Sequence, residues 1–133
     1  MDVPARPCIA VVDDEPKLLT ALGRLLGSHG FETRTYLSGT AFVEAAAHNR
    51  PDCLILDLHM PTGSGFDILE AMDRLGYDIP TILITGRDEP GAGEKAIRLG
   101  ASAFLLKPLD ESDLISAIDR VCPAAHGGCR TDH

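Results

Sequence analysis

Apolar and polar positions follow two rhythms that alternate along the chain. Short, almost wholly apolar runs, "CIAVVD" (8–13), "DCLILD" (52–57) and "PTILIT" (80–85), read as strands buried on both faces. "FETRTYL" (31–37) alternates apolar with polar residues as a strand would, and "ASAFLLK" (101–107) supplies a fifth strand. Between them lie stretches of helical period. "PKLLTALGRLLGSHG" places Leu18, Leu22, Leu25 and Leu26 on one face and stops at Gly30. "SGTAFVEAAAHN" offers Ser38 as a cap with Phe42, Ala45 and Ala46 as its stripe. "GFDILEAMDRLG" repeats Phe66, Leu69 and Met72, and "DESDLISAIDRV" aligns Leu114, Ile115, Ile118 and Val121 behind Asp110, a natural N-cap. "EPGAGEKAIRLG" is a poor helix, because Pro90, Gly91 and Gly93 crowd its start.

Five strand–helix units joined by short loops predict one α/β domain, a doubly wound parallel sheet with helices on both faces. Right-handed crossovers bring every strand C-terminus to the same edge, where ligands of such sheets bind. The ends that meet there read "VVDDE", "LILD", "LIT" and "LLKP", giving Asp13, Asp14, Asp57, Thr85 and Lys107. Only the second strand ends blandly, on Leu37 and Ser38.

Each of these residues also has a local reading. Asp14 would cap the following helix, Asp57 would start an Asx-turn into "HMP", Thr85 would close a turn before Gly86, and Lys107 would be solvated. Four coincident strand ends favour one constellation over four accidents. Converging carboxylates need a cation, since two unit charges ~4 Å apart repel by about 4 kcal/mol at an effective dielectric near 20. With only hard oxygen ligands, that ion is Mg²⁺ or one like it, which commonly works beside phosphate oxygens. Asp57, alone at the end of a central apolar run, is the candidate nucleophile for an aspartyl-phosphate. The metal, Lys107 and the Thr85 hydroxyl would neutralise the equatorial oxygens.

Composition narrows the function further. At 133 residues, 44% hydrophobic and 24% charged, the chain has ordinary globular usage. A formal net charge of −8 argues against an intrinsic nucleic-acid surface. No apolar run approaches a membrane span, and "MDVPARPC" lacks a signal-peptide core, so a cytoplasmic location is the expectation. Cys8 and Cys53 read as buried hydrophobes, while Cys122 and Cys129 fall near or in a polar tail where air oxidation could join them. No CxxC pair or Walker A pattern occurs, and the "GSG" after Asp57 falls short of a dinucleotide fingerprint.

The motifs "VVDDE", "LILDLHMPTGSGFDIL", "TILITG" and "GASAFLLKP" together resemble the receiver domains of two-component response regulators, most of all those attached to helix-turn-helix transcription factors. The resemblance spans residues 8–121, leaving 1–7 as an extension and 122–133 as a tail or the start of a linker. It implies a flavodoxin-like sheet of order 2-1-3-4-5. It implies that Asp57 is phosphorylated by a sensor histidine kinase or phosphotransfer protein. Mg²⁺ would be held by Asp14, Asp57 and the His59 carbonyl, with Asp13 acting through water. Thr85 and Phe104 would be the switch pair, Lys107 would grip a phosphoryl oxygen, and the Lys107–Pro108 peptide would be cis. Output would pass through the fourth helix, fifth strand and fifth helix to a further domain, a partner protein or a second copy in a homodimer.

Some positions depart from the pattern or extend it. Phe104 stands where many members carry Tyr, so only ring position remains to signal. The glycine-rich start of the fourth helix predicts a loosely ordered output face. His59 and Arg87, two positions beyond Asp57 and Thr85, are expected at the mouth of the site, where they would shield the phosphoryl group from water. A phosphohydrolase of the haloacid-dehalogenase type would want a second Asp at position 59, where this chain has His, and its paired acids precede the nucleophile. A binding module that takes up no phosphate is the other alternative.

Overall fold

The computed structural model describes residues 6–122. Strands β1 (Cys8–Val12), β2 (Glu32–Tyr36), β3 (Cys53–Asp57), β4 (Thr81–Thr85) and β5 (Ala103–Leu106) alternate with helices α1 (Pro16–Ser28), α2 (Gly39–Ala46), α3 (Gly65–Leu75), α4 (Ala92–Arg98) and α5 (Glu111–Val121). These five strands pair in parallel throughout, in the order β2-β1-β3-β4-β5. The doubly wound five-stranded sheet read from the sequence is therefore the observed one.

The apolar runs make sense once both faces are considered. Ile9, Val11, Cys53, Ile55, Ile82 and Ile84 point into one core with α1 and α5. Their neighbours Ala10, Val12, Leu54, Leu56 and Leu83 point into the other, beneath α2, α3 and α4. Side chains alternate across a strand, so a strand covered on both sides must be apolar at every position. The edge strand β2 is only partly buried, which is why its sequence alternates.

Helix faces differ in detail from the periodic reading. On α1 the buried residues are Leu19, Leu22 and Leu26, whereas Leu18 and Leu25 flank the contact and stay partly exposed. Leu at so many positions leaves the 3.6-residue period unable to choose between adjacent stripes. Ser38 and Asp110 cap α2 and α5, accepting from the backbone N–H of Ala41 at 3.1 Å and Asp113 at 3.0 Å. Replacing Asp110 by Ala is expected to cost about 1 kcal/mol in a urea unfolding series, and no change would deny the cap any energetic role. Helix α4 is seven residues long, and its N-cap position is Gly91, whose φ of 80° is left-handed and which has no side chain to cap with.

Cys8 and Cys53 are buried as expected. Cys122, at the junction with the tail, caps α5, is fully buried, and reaches the Asp52 carbonyl at 3.5 Å. A hydrogen bond with Cys122, together with burial, pushes the Cys53 thiol pKa far up, so this thiol stays protonated. Cys129 lies outside the described residues.

Candidate functional site

The C-terminal edge of the sheet carries the acids. Asp57 closes β3 and Asp13 follows β1, with residue exposures of 3% and 0%. Asp13, Asp14 and Asp57 each offer an oxygen within 4.8 Å of the others, a group able to hold a metal ion. Asp14 does not cap α1, whose N-cap is Glu15 without a side-chain bond. Asp13 instead accepts from the Glu15 N–H at 2.9 Å, which fixes its carboxylate toward the cluster.

Lys107 enters from the end of β5. Its Nζ lies 2.9 Å from Asp13 Oδ2, 3.4 Å from Glu15 Oε1 and 3.6 Å from Asp57 Oδ1. It is far from a solvated strand end. Burial works against its charge, yet the Asp13 hydrogen bond and the Asp57 charge hold its pKa above the ordinary lysine value. One ammonium cannot neutralise this many carboxylates. Burial and then the nearby Asp13 charge push Asp57 up to about 6, against the opposing pull of Lys107 and the His59 backbone N–H.

The loop after Asp57 is shaped by close approach. His59–Met60 and Gly63–Ser64 form a two-residue antiparallel pairing, with Gly63 at φ 153°. Gly65 has no left-handed backbone; it is Gly because a Cβ would lie 2.8 Å from the Asp57 carbonyl oxygen and 3.0 Å from Leu58 Cα. Its N–H donates to the Leu58 carbonyl at 2.8 Å, seating α3 directly behind the acid.

Neither Thr85 nor Phe104 bonds to the acids. Thr85 is buried, and its Oγ1 accepts from the Arg87 N–H at 3.1 Å and sits 3.3 Å from the Arg87 carbonyl. Its hydroxyl therefore serves its own loop, the turn role open to it from sequence. Phe104 is partly buried against the α2–α4 core, its ring edge 3.3 Å from where a Cβ on Gly93 would stand. The His59 imidazole turns to Glu89, Nε2 to Oε1 at 3.0 Å, and Arg87 lines a cleft together with His59, Pro61 and Ser64. The Lys107–Pro108 peptide is cis. Two contributors escaped the sequence reading. Glu15 stands beside the acid pair in "DDE" but reads there as a helix start, and Glu89 carries no local signal at all.

The model of the response regulator receiver domain matches residues 9–119. The chain belongs to that family. It is 40% identical over 110 residues to the response regulator protein TmoT of Ectopseudomonas mendocina, covering 83% of this chain and 50% of that protein. It is 34% identical over 112 residues to the transcriptional regulatory protein FixJ of Rhizobium meliloti, covering 84% of this chain and 55% of FixJ. The chain thus spans about half the length of the curated relatives it matches. Among solved structures it is similar to FixJ-N, with TM-score 0.81 and 32% identity over 89% of this chain and 94% of that one. The chemotaxis protein CheY4 of Vibrio cholerae gives TM-score 0.81 and 26% identity, over 88% of this chain and 99% of that one. This receiver domain carries no helix, among its described residues, long and apolar enough to cross a membrane.

Proposed function

We propose that this receiver domain accepts a phosphoryl group on Asp57 from a phosphohistidine of a sensor histidine kinase or phosphotransfer protein, and that the modified domain switches an output. The observation that carries this is the under-neutralised carboxylate of Asp57, buried between Asp13 and Lys107 with its pKa pushed up to about 6. In the transfer, an Asp57 oxygen bonds to phosphorus as the P–N bond breaks, and the donor imidazole keeps the electron pair. The return step is hydrolysis: water attacks phosphorus, the bond to Asp57 breaks, and inorganic phosphate leaves with the carboxylate restored. Turnover is confined to the domain's own phosphoryl group, so it is not an enzyme on other substrates.

The donor set fits Mg²⁺, because it is all oxygen, anionic and short of positive charge. Asp14, Asp57 and the His59 carbonyl would hold the ion, with Asp13 assisting through water. Bound there, Mg²⁺ supplies charge neutralisation for the acids and for the phosphoryl oxygens. Lys107, already held between Asp13 and Asp57, orients one of those oxygens. Mg²⁺ at about a hundred times its Kd is expected to stabilise the fold by about 2.7 kcal/mol, read as a rise in melting temperature. Asp14→Asn should lose most of that rise, and equal rises in both proteins would contradict the assignment.

Switching begins at Thr85. A phosphoryl group adds about −1.5 to −2 charge. That charge draws the hydroxyl away from Arg87 and frees space into which Phe104 turns. The loop and α4 then reorder, in the region where Gly91 leaves the helix uncapped. Ile97 on α4 and Leu106 on β5 are exposed at 53% and 43%, which supports an output or homodimer contact through α4, β5 and α5. Hydrogen exchange over residues 86–100 is expected to slow on phosphorylation, and unchanged protection would refute the switch. The formal net charge of −8, with no basic helix among the described residues, supports an output that reaches DNA through a joined or partner module in the cytoplasm and not through this domain's own surface.

A further inference from the structure

The sheet ends on β5 at the proposed output face and on β2 at the opposite edge. On β2 the Glu32 N–H donates to the Pro7 carbonyl at 2.9 Å, and the Tyr36 carbonyl accepts from the Asp13 N–H at 3.1 Å. Backbone groups alternate in direction along a strand. Glu32, Arg34 and Tyr36 therefore face β1, and the N–H and C=O groups of Thr33 and Thr35 point off the sheet. Such an edge is a template for another strand. The flank of α1 beside it carries Thr20, Gly23 and Gly27, small residues that leave a cleft of about 500 Å³ next to Phe31 and Thr33. Among the described residues, the buried Thr33 hydroxyl has no hydrogen-bond partner. Leu37, just past the strand, is 57% exposed.

We propose that β2 is a self-docking edge, at which a second copy of this chain pairs antiparallel about a two-fold axis through Thr33. Side-chain face and charge decide the register. Directly opposed residues share a face of the sheet, so odd positions must meet odd ones and even positions even ones. An axis through Arg34 would set that side chain against its own copy, and one through Thr35 would leave Glu32 facing Ser38. An axis through Thr33 sets Glu32 against the partner's Arg34 and Arg34 against the partner's Glu32. These reciprocal ion pairs join the 3.5 Å contact that the two side chains make within one strand. The central Thr33 residues exchange backbone hydrogen bonds, and a turn about χ1 gives each buried hydroxyl the other as partner. Leu37 comes to lie opposite the partner's His29, where the cleft beside the partner's Gly27 and Phe31 accepts it. Like charges along an edge block such pairing; opposite charges two residues apart make this edge complementary to itself. A single strand of five residues makes a small contact, so the dimer is weak and gains from any joined module that also pairs. It leaves the α4, β5 and α5 face open, because β2 and β5 are opposite edges.

The test is sedimentation equilibrium of the whole chain, unphosphorylated and free of Mg²⁺, over a dilution series. A reversible rise toward twice the monomer mass is expected as concentration increases. Glu32→Arg and Arg34→Glu each set like charges opposite one another and should weaken association by about tenfold. The two substitutions together restore complementarity and should recover most of it. Thr33→Pro lacks an N–H that β1 does not use, and should abolish pairing. A chain that stays monomeric throughout would overturn the proposal. Dimers that persist equally in both single variants would overturn it too, by assigning association to another face. A double variant no better than the single ones would overturn the register. A monomer whose Thr33 and Thr35 amides are nonetheless protected from hydrogen exchange would show that the chain's own residues outside 6–122 cover the edge, which also overturns pairing between copies.

Discussion

Asp57→Asn is expected to abolish phosphoryl uptake while making the metal-free fold more stable at neutral pH. The first effect follows from removing the nucleophile, since an amide oxygen neither carries the charge nor leaves as a carboxylate. The second follows from the sign of the pKa shift. In the folded domain Asp57 titrates near 6, above its ordinary 3.8, because burial and Asp13 disfavour the charged form. Between these values the folded state binds more protons than the unfolded one, so this group lowers stability as pH rises from about 4 to about 6. Above that window the whole penalty is present, on the order of 2–3 kcal/mol for a shift of this size. Asn removes the charge and keeps the shape. Urea midpoints measured across pH without Mg²⁺ should diverge in this window, with the Asn variant higher at pH 7. Parallel profiles, or a less stable variant, would mean that Lys107 already compensates the buried charge.

Gly65→Ala is expected to damage both the fold and the site. A Cβ at this position would lie 2.8 Å from the Asp57 carbonyl oxygen, 2.9 Å from Leu83 Cδ1 and 3.0 Å from Leu58 Cα. Two of these neighbours are backbone at the end of a central strand, where the Leu58 N–H is already bonded to the Ile84 carbonyl at 2.8 Å. Neither can give way cheaply. Overpacking of this kind costs about 1–3 kcal/mol, and the strain is delivered straight to the residue that carries the chemistry. Phosphoryl uptake should therefore slow by roughly tenfold even where the variant remains folded, because small misplacements of a reacting group are expensive in rate. Gly23→Ala provides the contrast. That glycine lies inside α1 with nothing within 4 Å of its would-be Cβ, so Ala should stabilise by about 0.5–1 kcal/mol and leave uptake unchanged. Matching losses in the two variants would show that close approach at Gly65 is not what matters.

The contrast between these glycines marks what the chain discloses on its own. Strands buried on both faces announce themselves as unbroken apolar runs, and parallel topology then fixes which strand ends share an edge. Asp13, Asp14, Asp57 and Lys107 could be brought together on that basis because their placement depends on backbone path alone. Side-chain direction is a different matter. Thr85 sits at the expected strand end, yet whether its hydroxyl faces the acids or its own loop depends on competition with the Arg87 N–H, which no pattern encodes. Glu89 pairs with a residue thirty positions away through two irregular loops, so neither period nor spacing points to it. Gly65 looks like turn chemistry in "TGSG", and only the packed structure distinguishes close approach from backbone conformation. Cys122 adjoins a polar stretch in the sequence, but the end of α5 carries it down onto Cys53 and Asp52.

The most direct test of the central claim is the intact mass of the chain after incubation with Mg²⁺ and acetyl phosphate, beside an Asp57→Ala control. One added phosphoryl group, labile at alkaline pH, is expected in the unsubstituted chain and not in the control. An adduct that survives in Asp57→Ala would place the acceptor elsewhere. An unsubstituted chain that binds Mg²⁺ but takes no adduct from this donor or from a phosphohistidine protein would make the domain a binding module instead.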